Sequence, residues 1–241
     1  MDVKTRLSRL FIPGAGGNNL LSLDAKNSHY LIHVMRGRIG DQVLVFDGVT
    51  GEYLAQINHV DRKGCSLKIL HQTKSFIASH GPSLLFAPLK KPRLDILIEK
   101  AVELGVEALY PVMTQHTVYR HLTQEKLQEI SIQAAEQCER LSIPQIHQPL
   151  DLKYLLETWD PEIPILVCVE RLECLSLKKA CAKFSQAKTF LIGPEGGFSP
   201  DEFMLMGQKP FVHFVTLGSE ILRAETAGIL ALGYFKTNKE D

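Results

Sequence analysis

Apolar residues recur along the chain with two different periods. In the first third they sit in short β-branched runs, DQVLVFDG (41–48), EYLAQINHV (52–60) and CSLKILHQ (65–72), separated by glycine-containing turns. That spacing predicts strands of a small β-barrel or sandwich. One helix interrupts them, with Asp24 as N-cap, His29, Tyr30, His33 and Val34 along it, and an end near Gly37. The polar stretch TKSFIASHGPS (73–83) ends this part on Gly-Pro.

Beyond it, strands alternate with helices. SLLFAPL is a strand, and Leu94, Leu97, Ile98, Ala101 and Leu104 keep the i, i+3, i+4 spacing of one helix face. ALYPVM (108–113) is the next strand, followed by a longer helix marked by Leu127, Ile130, Ala134, Cys138 and Leu141. ILVCV (165–169), TFLIG (189–193) and FVHFVTL (211–217) are further strands, and Ala227, Leu230, Ala231, Tyr234 and Phe235 define a C-terminal helix. Alternation of this kind predicts a parallel sheet and an α/β domain. The expected division is a β-rich domain over 1–72, a linker over 73–82 and the α/β domain over 83–241.

Composition narrows the setting. With 241 residues, 45% of them apolar and 22% charged, the chain is an ordinary globular protein. It has no apolar run near twenty residues, and its opening MDVKTRLSRLFI lacks the apolar core of a secretion signal, so we expect a cytoplasmic protein that does not enter a membrane. Five cysteines without a Cys-x-x-Cys pair argue against a disulfide framework or a zinc ribbon, and the histidines show no metal-ligand spacing; no metal is expected. The formal net charge is zero, but residues 1–93 hold 13 Lys+Arg against 6 Asp+Glu while residues 94–241 hold 14 against 21. Such a dipole fits a basic front that meets a polyanion, with two solvated faces of opposite sign as the alternative.

Two loops carry the candidate chemistry, each at the C-terminal end of a predicted strand, where open α/β sheets bind ligands. In Gly193-Pro194-Glu195-Gly196-Gly197-Phe198 the glycines let a ligand approach the main chain. Ser199, Pro200 and Glu202 then read as cap, first helical position and capping box. Glu195 stands where a phosphate cradle would carry no acid, so a neutral or cationic ligand fits better. The second loop, LGSEILRAETA (217–227), reads as a helix entry at Gly218 and Ser219, with Arg223, Glu225 and Thr226 in the first turns.

The pairing of GPEGGFSPDE with LGSEILRAETA resembles the RsmE family of 16S ribosomal RNA uridine N3-methyltransferases, of the SPOUT class. The likeness extends to HYLIHVMRGRIGDQVLVFDG, DILIEKAVELGVEALYPVMTQHTVYR and AAEQCER. Where the family writes Leu-Gly-Pro-Arg this chain has Leu217-Gly218-Ser219-Glu220, which removes a basic side chain at 220.

The resemblance implies a PUA-like N-terminal β-barrel, a C-terminal α/β domain with a trefoil knot, and a homodimer. It also implies S-adenosyl-L-methionine as cofactor, held by loops after residues 169, 192 and 217. The cofactor residues would be Val169, Ile192, Gly193, Glu195, Gly196, Gly197, Leu217, Gly218, Ile221, Leu222 and Arg223. The reaction would be methylation of N3 of one uridine in 16S ribosomal RNA, free or in the small ribosomal subunit. Its proton must leave before N3 can attack. Arg223 is the candidate for stabilising the base or an adjacent phosphate, and Glu225, or Glu195, for accepting the proton. RNA capture falls to Arg6, Arg9, Arg36, Arg38, Lys90, Lys91 and Arg93. Alternatives are a SPOUT enzyme acting on ribose hydroxyls or transfer RNA, and a non-catalytic RNA-binding assembly factor.

Overall fold

The computed structural model describes residues 7–62, 64–78 and 80–238; Arg6 lies outside them. The described residues form two compact units. The first holds those up to Ala78 together with Ala135–Ile143, and the second holds the remainder.

The first unit contains β1 (Arg9–Phe11), β2 (Leu20–Ser22), α1 (Ala25–His29), β3 (Gln42–Phe46), β4 (Gly51–Asp61) and β5 (Gly64–Ser75). They build one five-stranded sheet in the order β1-β3-β4-β5-β2, in which β1 pairs parallel with β3 and the other pairings are antiparallel. Inward residues such as Leu10, Val43, Val45, Ala55, Ile57 and Leu67 alternate along the strands and form its core. The Asp24 carboxylate accepts the Asn27 N–H at 2.7 Å and starts α1. The single helix expected there has two windings, because a π-helical turn over Tyr30–Val34 follows α1. β5 continues to Ser75, into the stretch read as a linker, because its ladder with β4 runs on through the Glu52–Lys74 and Gly51–Ser75 pairs.

The second unit runs β6 (Ser83–Phe86), α2 (Arg93–Glu103), β7 (Ala108–Met113), α3 (Gln124–Cys138), β8 (Gln145–Ile146), β9 (Leu150–Asp151), α4 (Leu152–Thr158), β10 (Ile165–Cys168), β11 (Leu175–Ser176), α5 (Leu177–Lys183), β12 (Thr189–Ile192), α6 (Pro200–Gly207), β13 (Val212–Thr216) and α7 (Ala224–Thr237). The last residues of α3 are assigned to the first unit. The helix stops at Cys138, before the expected Leu141, where Glu139 takes a left-handed φ of 61°.

The sheet order is β11-β13-β10-β12-β6-β7-β8, with β9 also on β7, and its pairings are parallel. Both faces are covered, so its central strands read as continuous apolar runs such as Thr189–Ile192, buried throughout. α2 and α7 pack on one another, and Gly228 makes this possible: a Cβ there would lie 2.6 Å from Leu97 Cδ1.

Candidate active site

Neighbouring strands β13, β10 and β12 send their following loops to the same edge of the sheet. After β12, the Pro194 carbonyl accepts the Gly197 N–H at 2.9 Å, closing a turn in which Gly197 takes a φ of 71°. The exit is fixed by the capping box the sequence predicts: Ser199 Oγ accepts the Glu202 N–H at 3.2 Å, and Glu202 Oε2 accepts the Ser199 N–H at 2.8 Å. The other oxygen, Glu202 Oε1, accepts the Gln115 N–H at 2.8 Å. His116 Nδ1 meets the Gly197 carbonyl at 3.0 Å, and a Cβ on Gly196 would sit 3.1 Å from His116 Cβ. Gln115 and His116 therefore buttress the glycine loop, a role that sequence reasoning missed. The available signal was their place after β7, whose C-terminal end lies on the same edge.

After β13, Gly218 has a φ of 144°, and the Thr216 hydroxyl donates to its carbonyl at 2.9 Å. The helix begins later than the entry expected at Gly218 and Ser219: α7 starts at Ala224, with Arg223 as its N-cap residue. Residues 217–222 thus stay non-helical, bending at Ser219 and Glu220, and line the site.

The loops enclose a cavity of about 660 Å³, within the roughly 300–1,000 Å³ usual for small-molecule sites. Val169, Ile192, Gly193, Glu195, Gly197, Leu217, Gly218, Ile221, Leu222 and Arg223 all line it, as does the segment Glu170–Leu172 after β10. Gly196 does not line it; it faces His116. Apolar walls beside open glycine backbone suit a flat, phosphate-free ligand such as an adenosyl group, so the residues present fit S-adenosylmethionine. Cys168 also lines the cavity, and burial, with Cys181 and Cys174 nearby, pushes its thiol up to about 12. It stays protonated at neutral pH and is no nucleophile.

The basic residues expected to hold RNA separate into three groups. Arg36 and Arg38 are exposed in the first unit, and Lys90 and Lys91 are exposed in the second. Arg9 is buried and committed: Nε donates to Glu52 Oε2 at 2.7 Å, Nη1 to the Ala135 carbonyl at 2.8 Å and Nη2 to the Arg140 carbonyl at 3.0 Å, with the Phe46 ring centroid 3.9 Å away. It anchors the first unit and has no face left for a phosphate. Arg93 lines the cavity, with Nη1 3.5 Å from Glu195 Oε1 and Nε 3.8 Å from Glu225 Oε1. Glu225 is buried, and its Oε2 has no hydrogen-bond partner. Among the described residues, no group of three or more His, Cys, Asp or Glu is placed to hold a metal ion, and no helix is long and apolar enough to cross a membrane.

Comparison with known proteins gives these loops a context. Residues 81–236 match a family model described as an RNA methyltransferase domain, and residues 23–70 match one described as an RNA methyltransferase PUA domain. The chain is 32% identical over 205 residues to the ribosomal RNA small subunit methyltransferase E of Rickettsia conorii, covering 85% of this chain and 84% of that one. It is 34% identical over 220 residues to the protein of the same name from Synechocystis, covering 88% and 71%. A crystal structure of ribosomal RNA small subunit methyltransferase E from Neisseria gonorrhoeae bound to S-adenosyl methionine superposes with a TM-score of 0.84 at 26% identity, covering 97% of this chain and 98% of that one.

Proposed function

The chain belongs to the RNA methyltransferase family that includes the ribosomal RNA small subunit methyltransferases E, and from that premise we propose that it methylates N3 of one uridine in 16S ribosomal RNA with S-adenosylmethionine as donor. The observation that carries this reading is the cavity at the ends of β10, β12 and β13, walled by both glycine-bearing loops. Bound there, the donor supplies an activated methyl group on a positive sulfonium, and the protein's share of the work is alignment. The main chain of Ile192, Gly193, Leu217, Gly218 and Leu222, with Val169 behind it, would hold the adenosyl part. Glu195 is compatible with a cation and not with a phosphate.

Arg223, at the cavity and at the start of α7, is our candidate for stabilising the base or an adjacent phosphate as N3 loses its proton. Glu225 is our candidate for the acceptor. RNA capture we assign to Arg36, Arg38, Lys90 and Lys91, with the N-terminal β-rich domain as the RNA-binding domain and the C-terminal α/β domain as the methyltransferase domain. On the same reading the second domain carries a trefoil knot, the protein is a homodimer, and it works in the cytoplasm, where ribosomes are assembled.

Primer extension on ribosomal RNA tests the substrate: a stop at one uridine with the gene and read-through in its deletion are expected. Nucleoside mass spectrometry must then find 3-methyluridine. Ribose methylation or methylated transfer RNA would replace this reading with another enzyme of the class. Failure to bind S-adenosylmethionine with RNA binding intact would replace it with an assembly factor.

A further inference from the structure

Six charged side chains line the cavity: the acids Glu170, Glu195 and Glu220, and the arginines Arg93, Arg171 and Arg223. Glu195 has a cationic partner, Arg93, whose Nη1 is 3.5 Å away. Glu220 is exposed and has a neutral partner instead: Ser219 Oγ donates to its Oε1 at 2.9 Å. Its Oε2 lies against the Gly218 main chain, 3.5 Å from where a Cβ on that glycine would stand. Gly218 is held in turn by the Thr216 hydroxyl, which donates to its carbonyl at 2.9 Å. The turn thus fixes an unneutralised carboxylate on the cavity wall, beside the main chain that the reading above gives to the adenosyl group.

Resting on the methyl-transfer reading above, we propose that Glu220 is a specificity-determining residue: its carboxylate, set by Ser219, makes the cavity prefer the cationic donor to the spent product. RNA is a polyanion and is repelled by an acid at this place, so of the two reactants only the donor gains from it. S-adenosylmethionine carries one net positive charge. S-adenosylhomocysteine carries none, because the methyl leaves without the bond's electron pair and the sulfonium becomes a neutral thioether. The two ligands are otherwise alike in their adenosyl, ammonium and carboxylate groups. The cavity has the volume of a cube about 9 Å on edge, comparable to the Debye length of about 8 Å at physiological salt, so a charge on its wall acts on a sulfonium anywhere inside. The attraction ends with the transfer, which favours release of the product over retention.

The test measures calorimetric Kd values for S-adenosylmethionine and S-adenosylhomocysteine in the full chain and in Glu220→Gln, Glu220→Arg and Ser219→Ala, alongside the KM for small-subunit RNA. Glu220→Gln should weaken S-adenosylmethionine roughly fivefold, the upper range for an exposed charge pair, and S-adenosylhomocysteine by less than about twofold. Glu220→Arg, which replaces attraction by repulsion, should extend the donor's loss to roughly 25-fold. Ser219→Ala should move the donor in the same direction by less. Salt at about 0.5 M should shrink the parent's preference for the donor and leave that of Glu220→Gln unchanged. Equal losses for both ligands, a ratio of affinities that stays at the parent's value, or a changed KM for RNA with both Kd values retained overturn the proposal. A parent that shows the charge preference yet methylates no uridine sinks the reading of the substrate and leaves the role of Glu220 in place; a parent that binds neither ligand sinks both.

Discussion

Arg9→Ala separates a structural arginine from one that touches RNA. The guanidinium and the Glu52 carboxylate are 5% and 2% exposed and 2.7 Å apart, and the same guanidinium satisfies two carbonyls. Removing one partner of a buried pair costs about 3–5 kcal/mol, because the other charge stays behind. Lys74 Nζ, 3.6 Å from Glu52 Oε1, and the Thr73 hydroxyl soften that loss, so the lower end, about 3 kcal/mol, is expected. For a chain of this length that is a drop in Tm of roughly 6–12 °C.

The pH dependence has a definite sign. Burial alone would raise the Glu52 carboxyl, but the hydrogen bonds from Arg9 and then Thr73, with the charges of Arg9 and Lys74, outweigh it and hold it below its ordinary value of 4.5. Its contribution is therefore present above that value and lost as pH falls through the depressed one. Thermal and urea melts of parent and variant should differ most near neutrality and converge below about pH 4. A melting temperature within about 2 °C of the parent at pH 7, together with a large loss of RNA affinity, would refute the burial argument and return Arg9 to the RNA-binding face.

Arg223→Ala should cut methylation at least 100-fold in a radiolabelled transfer assay, with Tm unchanged because the residue is exposed and its side chain does not cap α7. Gly228→Val should destabilise the second unit by about 1–3 kcal/mol in urea titration, since the α2–α7 approach leaves no room for a side chain. Asp47, held down at about 2 by hydrogen bonds from Thr50, Val49 and Gly16 that outweigh its burial, should contribute roughly 2 kcal/mol. That share is present above pH 4 and lost as pH falls towards 2, so Asp47→Asn should remove this part of the acid sensitivity.

Local features were legible in the sequence because their partners lie a few residues away. The Ser199–Glu202 box, the Asp24 cap and the apolar face of α2 are settled within one or two helical turns. Arg9 and Arg93 were not legible, since a surface arginine and a buried one look alike until their partners are known. Glu52 is 43 residues from Arg9, and Glu195 and Glu225 approach Arg93 only when β6 and β12 lie side by side and α2 packs on α7. The α/β alternation predicted the second unit correctly. The return of Ala135–Ile143 to the first unit carried no periodic signal, since it ends a helix that began elsewhere.

Strand β10 stands between β12 and β13, although both are made after it. A growing chain therefore has no donor cavity until residues beyond 217 have emerged and β13 has docked on the far side of β10. Fragments that stop before β13 lack the loop that supplies Leu217, Gly218, Ile221, Leu222 and Arg223 to the cavity wall, and are expected to bind the donor more weakly than chains that include it. Any stabilisation that the ligand confers is then largest in chains that already carry β13 and its loop.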